Sequence, residues 1–181
     1  MAIMSGANYG ESFFDVYDEW YADAPTESIV RFVSARTDPS SRLLELGVGT
    51  GRVALPLAAA GFRVMGMDTS ADMLEVLRTK DSSGTIEQVV GSADDGDSYP
   101  DEPFDVVLAV FNLLFNLQTA ASQQRCFDAV ASSLGDTGCF IVESFVPEPV
   151  TERRTDLVTR SVEAHRVVLI ATESDPSTQT V

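Results

Sequence analysis

Three glycines in five residues, Gly47, Gly49 and Gly51, follow the apolar run Leu43-Leu44-Glu45-Leu46, and Asp68 closes the next apolar run, Arg63 to Met67. Glycines at this spacing let a tight turn form and bring backbone N–H groups close to a ligand where a Cβ would stand in the way. An acid at the tip of the following strand can accept the two vicinal hydroxyls of a ribose. The chemistry on offer is therefore the grip of a nucleoside. A dinucleotide fingerprint spaces its last two glycines by two residues, G-x-G-x-x-G, with an acid about 20 residues on. Here Thr50 alone separates Gly49 from Gly51, and Glu45 stands just ahead of the first glycine. The competing reading is a βαβ unit whose glycines serve only close packing.

The pattern E-x-G-x-G-x-G over Glu45 to Gly51 resembles motif I of the class I S-adenosylmethionine-dependent methyltransferases, and Asp68 matches their ribose-binding acid. Phe104-Asp105-Val106-Val107 resembles motif II of the same family. The run from Ser133 to Glu143 resembles the leucine, glycine turn and strand that follow it. This resemblance implies an α/β fold, a Rossmann-like and mostly parallel sheet flanked by helices. It implies S-adenosyl-L-methionine as cofactor, held by Glu45, Gly47, Gly49, Gly51 and Asp68, with transfer of its methyl group to oxygen or nitrogen of a small-molecule acceptor. It also places Tyr17 or Tyr21 over the methionine end of the cofactor and Met73 against the adenine; the competing reading is plain packing, of a surface helix by its aromatic face and of Met73 in the core. Many relatives carry an aspartate at the adenine-contacting loop. The aligned position here is Ser92, beside Ala93, with Asp94 or Asp95 as the nearest acids.

The elements that must position these residues are legible in the pattern. Phe13, Val16, Tyr17 and Trp20 recur at helical spacing from about Ser12 to Trp20. Thr26 reads as an N-cap for a second helix to about Ala35, with Ile29, Val30 and Val33 on one face. Strand, glycine turn, helix and strand then run from Leu43 to Asp68. Ser70 caps a further helix whose Met73, Leu74, Val76 and Leu77 face the sheet. Ile86 to Val90 is a third strand. Phe104 to Val110 is near-continuously apolar, as a parallel strand buried on both faces must be. Asn112 and Asn116 lie just past its carboxyl end, where open α/β sheets place ligands. Amides among apolar residues need partners; Asn112 meets either the ligand or the backbone of a tight connection. A helix from Thr119 to about Leu134, a turn at Gly135 to Gly138 and a fifth strand from Cys139 to Glu143 complete this part. Glu143 at the end of that strand either contacts substrate or is solvated.

The expected organisation is one domain: N-terminal helices over 9–40, a cofactor-binding core over 41–146, and a linker with a small antiparallel β extension over 147–181. Strands at Asp156 to Val162 and Arg166 to Glu173 form that extension. In the family the chain returns for two more strands of the main sheet; here Val181 comes first. Without them the fifth strand is an open edge, which invites pairing into a homodimer and puts activity in question.

Composition narrows the partners. With 28 acids against 12 bases the net charge is −16, which repels phosphate backbones and anionic lipid. Neither nucleic acid nor membrane is expected as a partner. Met1 to Gly10 lacks the basic start and apolar run of a signal peptide, and no apolar run is long enough to span a bilayer. Cys126 and Cys139 read as reduced core residues of a cytoplasmic protein. One histidine and no cysteine cluster argue against a metal site. His165, in the turn between the last two strands, is the sole histidine candidate for a general base. No serine–histidine–acid set points to hydrolysis. The alternatives to methyl transfer are a non-catalytic cofactor-binding or assembly protein and an NAD-linked oxidoreductase.

Overall fold

The central sheet forms because five short apolar runs each follow a helix or turn that can cross over it. The computed structural model describes residues 17–22, 24–146, 148–162, 164–165 and 167–178. The helices are α1 (Tyr17–Trp20), α2 (Thr26–Ser34), α3 (Ala54–Ala59), α4 (Ala71–Lys80), α5 (Leu113–Asn116) and α6 (Ala120–Ser133). The strands are β1 (Arg42–Leu46), β2 (Arg63–Asp68), β3 (Glu87–Val90), β4 (Phe104–Ala109), β5 (Leu134–Val142), β6 (Arg154–Val162) and β7 (Val167–Ser174).

Strands β1 to β5 make one sheet in the order β3-β2-β1-β4-β5, every pairing parallel. The order reverses between β1 and β4, and the crevice for a ligand opens outside the carboxyl ends at such a switch point. Successive side chains of a strand point to opposite faces, so Leu43 and Leu44 enter two different cores. On one face Leu43, Val106 and Leu108 pack with Ile29 and Val33 of α2, Leu57 of α3 and Leu74 and Leu77 of α4. On the other, Leu44, Leu46, Met67 and Val107 pack with Cys126 and Val130 of α6. This is the α/β, Rossmann-like architecture expected. Strands β6 and β7 pair antiparallel as a separate ribbon. The chain divides into two compact units, residues 1–144 and 145–181.

Several local expectations are corrected. Thr26 is not the N-cap of α2 but its first residue, with Pro25 at the cap. Its hydroxyl donates to the Ala24 carbonyl at 3.3 Å and accepts from Arg52 at 3.0 Å, which leaves it no role on the helix end. The turn expected at Gly135 to Gly138 is a bulge inside β5: Phe104 pairs with Leu134, and the next pair is Val106 with Cys139. Cys139 is exposed, not core, because β5 is a sheet edge; Cys126 is buried as expected. Ser70 does cap α4, accepting from the Met73 N–H at 3.3 Å. Thr119 caps α6 in a reciprocal box with Ser122. The expected helix from Ser12 is described only from Tyr17; Phe13 and Val16 lie outside the described residues, as do Glu163, Arg166 and Val181.

Candidate active site

A cavity of about 680 Å³ opens at the carboxyl edge of the sheet, within the range of about 300–1,000 Å³ that small-molecule sites occupy. Its wall begins at the glycine turn. Gly47, Gly49 and Gly51 have φ of 65°, 55° and 86°, the left-handed region that glycine enters without penalty. Gly47 and Gly49 line the cavity. A Cβ on Gly51 would collide with Leu77 of α4, whereas a Cβ on Gly49 would meet nothing within 4 Å. Gly49 thus offers bare backbone to open space, and Gly51 lets the turn pack down on α4 behind it.

Asp68 ties the turn to the next strand. One carboxylate oxygen accepts the Gly49 N–H at 2.8 Å and the other the Ser70 N–H at 2.9 Å. Burial raises its pKa, and the hydrogen bonds from the Ser70, Gly49 and Thr69 backbones oppose the rise. A carboxylate has about four acceptor positions, so these backbone contacts leave capacity for a hydroxyl of a ribose. Met73 and Ala93 give apolar wall. Ser92 lines the cavity too and donates its hydroxyl to Asp94 at 2.6 Å. That contact is the first cause holding Asp94 below the usual carboxylate range. Of the two acids weighed for the adenine loop, Asp94 reaches the cavity. Asp95 instead accepts the Asp97 N–H and the Ser98 hydroxyl on the surface.

Tyr17 and Tyr21 both line the cavity, their ring centroids 4.8 Å apart, and Tyr21 meets the edge of Phe111 at 4.9 Å. The α1 segment that carries Tyr17 is fastened to the glycine turn. Asp18 accepts the Thr50 hydroxyl at 2.6 Å and pairs with Lys80, which also donates to the Thr50 carbonyl at 3.0 Å. Arg52, next after the glycines, lies 4.6 Å over the Phe111 ring and hydrogen-bonds Tyr17 and Thr26. Burial, partly offset by Arg52, pushes Tyr17 up to about 12.

Glu45 and Gly51, expected on the cofactor, stand behind the cavity wall and do not line it. Glu45 is 2% exposed; its carboxylate accepts from the Ala54 backbone at the start of α3, close to Arg52. Its Oε2 has no hydrogen-bond partner. Desolvation pushes its pKa up to about 8. Asn112 lines the cavity, at the head of α5. His165 sits exposed in the turn of the β6–β7 ribbon, in the other unit. Among the described residues no cluster of histidine, cysteine and acids could hold a metal ion. Sequence reasoning missed Phe111, Leu113 and the Asp18–Thr50–Lys80 fastening. An aromatic-asparagine pair directly after the apolar run of β4 was the available signal for the first.

Fold and site together define a doubly wound α/β protein with a nucleoside-type cleft at its switch point. Residues 43–138 match the family described as Methyltransferase domain, and the chain belongs to that family. The CcbJ methyltransferase of Streptomyces caelestis is 34% identical, with a TM-score of 0.83 over 96% of this chain and 72% of that one. The cypemycin N-terminal methyltransferase of a Streptomyces species is 28% identical over 177 residues, 96% of this chain and 71% of its own. A glycopeptide N-methyltransferase, MtfA, solved with S-adenosyl-L-methionine, shares the fold at 20% identity and a TM-score of 0.60, over 82% of this chain and 66% of that one. The matched stretch spans only 30% to 54% of the length of the other curated relatives.

Proposed function

We propose that the protein binds S-adenosyl-L-methionine and transfers its methyl group to an amine or hydroxyl of a small-molecule or peptide acceptor. The observation that carries this reading is the Gly49 backbone, bare toward the cavity and held by the Asp68 carboxylate. A nucleoside fits this arrangement. Asp68 would take the ribose, Met73 and Ala93 would flank the base, and Ser92 with Asp94 would meet its polar edge. Tyr17, Tyr21 and the Phe111–Asn112 turn would close the remaining side. Glu45 would act from behind, fixing the start of α3 and so the shape of the glycine turn.

When bound, the cofactor supplies an activated methyl on a sulfonium, open to in-line displacement by a lone pair. The chain's own task is then positioning and electrostatics. The two charged side chains among the described lining residues are both carboxylates, Asp68 and Asp94; Asp94 is paired with Arg125, so Asp68 carries the negative field that suits a sulfonium. One of the similar proteins is named as an N-terminal methyltransferase, which supports nitrogen over oxygen.

Calorimetric titration with S-adenosylmethionine and with NAD, followed by transfer of labelled methyl to a panel of amines and phenols, tests this reading. Saturable binding of the first ligand alone, with label appearing on an amine, is expected. Binding of NAD in its place would point to hydride transfer, and binding without any transfer to a non-catalytic role.

A further inference from the structure

Phe111 and Asn112 have φ of 55° and 65°, and they are the non-glycine residues with positive φ among those described. A bulky residue in this region is a genuine outlier, and a consecutive pair needs something to hold it. What holds it is Glu143, just past the end of β5. Its carboxylate Oε2 accepts the Phe111 N–H at 2.7 Å, its carbonyl accepts the Asn112 N–H at 3.2 Å, and its own N–H donates to Ala109 at 2.9 Å. The last two bonds are backbone groups that any residue would supply. The first belongs to the glutamate side chain.

We propose that Glu143 is a positioning residue: its carboxylate holds the Phe111–Asn112 turn in its left-handed form and thereby shapes the wall of the cavity. This rests on reading the cavity as the cofactor and acceptor site. The turn touches the rest of the site at several points. Phe111, Asn112 and Leu113 all line the cavity. The Phe111 ring packs against Tyr21 and under Arg52. The Leu113 side chain lies over Gly47, 2.6 Å from where a Cβ would stand. A turn released from Glu143 moves an aromatic wall and the residue packed on the glycine turn together. Glu143 itself does not line the cavity, so it works through these neighbours.

The test compares wild type, Glu143→Ala and Glu143→Gln, with S-adenosylhomocysteine as the probe. Glutamine keeps an oxygen that accepts the Phe111 N–H; alanine does not. Loss of this bond to a carboxylate is expected to raise the dissociation constant about tenfold in Glu143→Ala; glutamine keeps a neutral bond of about half the strength, so Glu143→Gln is expected within about threefold of wild type. Amide exchange at Phe111 in the ligand-free protein is expected to speed up in the alanine variant and stay slow in the glutamine variant. In a Phe111→Gly background the more strained position of the pair carries no side-chain penalty and asparagine tolerates the left-handed region, so Glu143→Ala should then add less than about twofold. Unchanged binding by Glu143→Ala would overturn the proposal, even with a lowered melting temperature. So would a glutamine variant as weak as alanine, or an equal penalty in the glycine background. A wild type that fails to bind the probe would sink the assigned function. The exchange measurement would still judge the clamp: unaltered Phe111 exchange in Glu143→Ala overturns it.

Discussion

Asp68 accepts the Gly49 N–H and the Ser70 N–H while facing the cavity, so its removal strikes the turn, the helix cap and the ligand together. Asp68→Ala is expected to weaken S-adenosylmethionine binding by about 1.5–3 kcal/mol, the usual range for hydrogen bonds to a charged group; calorimetry reads it directly, and an unchanged dissociation constant would take Asp68 out of the site. Glu45 offers a pH signature. Its folded pKa, raised to about 8 by burial, lies above the ordinary glutamate value of about 4.3. Between these values the folded state holds a proton that the unfolded state has lost. The associated stability is full below the lower value and fades as pH rises through the upper one. Melting temperature should therefore fall between about pH 5 and pH 8.5, and fall less steeply in Glu45→Gln. A variant with the wild-type slope would show that the group is ionised in the fold.

At the scale of the element, capping and periodicity carried most of the fold. The side chain of Ser70 accepts the Met73 N–H, and Ser70→Ala should cost about 1 kcal/mol in urea unfolding, as lost N-caps do. Such local devices are readable because they act within one turn of helix. The same holds for the apolar runs of β1 and β4 and for the glycine turn with Asp68, where residue type and spacing alone indicate the geometry. What stayed illegible depends on distant partners. The left-handed pair at Phe111–Asn112 is held by Glu143, 32 residues on. The Gly135–Gly138 stretch looked like an ordinary turn because only its pairing with β4 makes it a bulge. Cys139 looked like core because exposure depends on β5 being an edge. Thr26 looked like a cap because nothing local announces that Arg52 has claimed its hydroxyl. Glu45 is the mixed case: its motif was plain, but its position behind the wall was not.

For the molecule as a whole, the net charge of −16 opposes compaction through self-repulsion, which salt screens over a Debye length of about 10 Å at 0.1 M. Melting temperature should climb as sodium chloride is raised from about 0.01 to 0.5 M; differential scanning calorimetry at fixed pH reads this, and a flat response would mean the acids are spread too widely to matter. The β6–β7 ribbon pulls the other way. Leu157, Val158, Val162, Val167, Leu169 and Ile170 are all exposed on it, and exposed apolar side chains in such number are an association liability. At low ionic strength the like charge is expected to keep copies apart. In brine these side chains can meet, so the condition that hardens each molecule against heat also makes the population clump, and light scattering should record growing particles in the same buffers that yield the highest melting points.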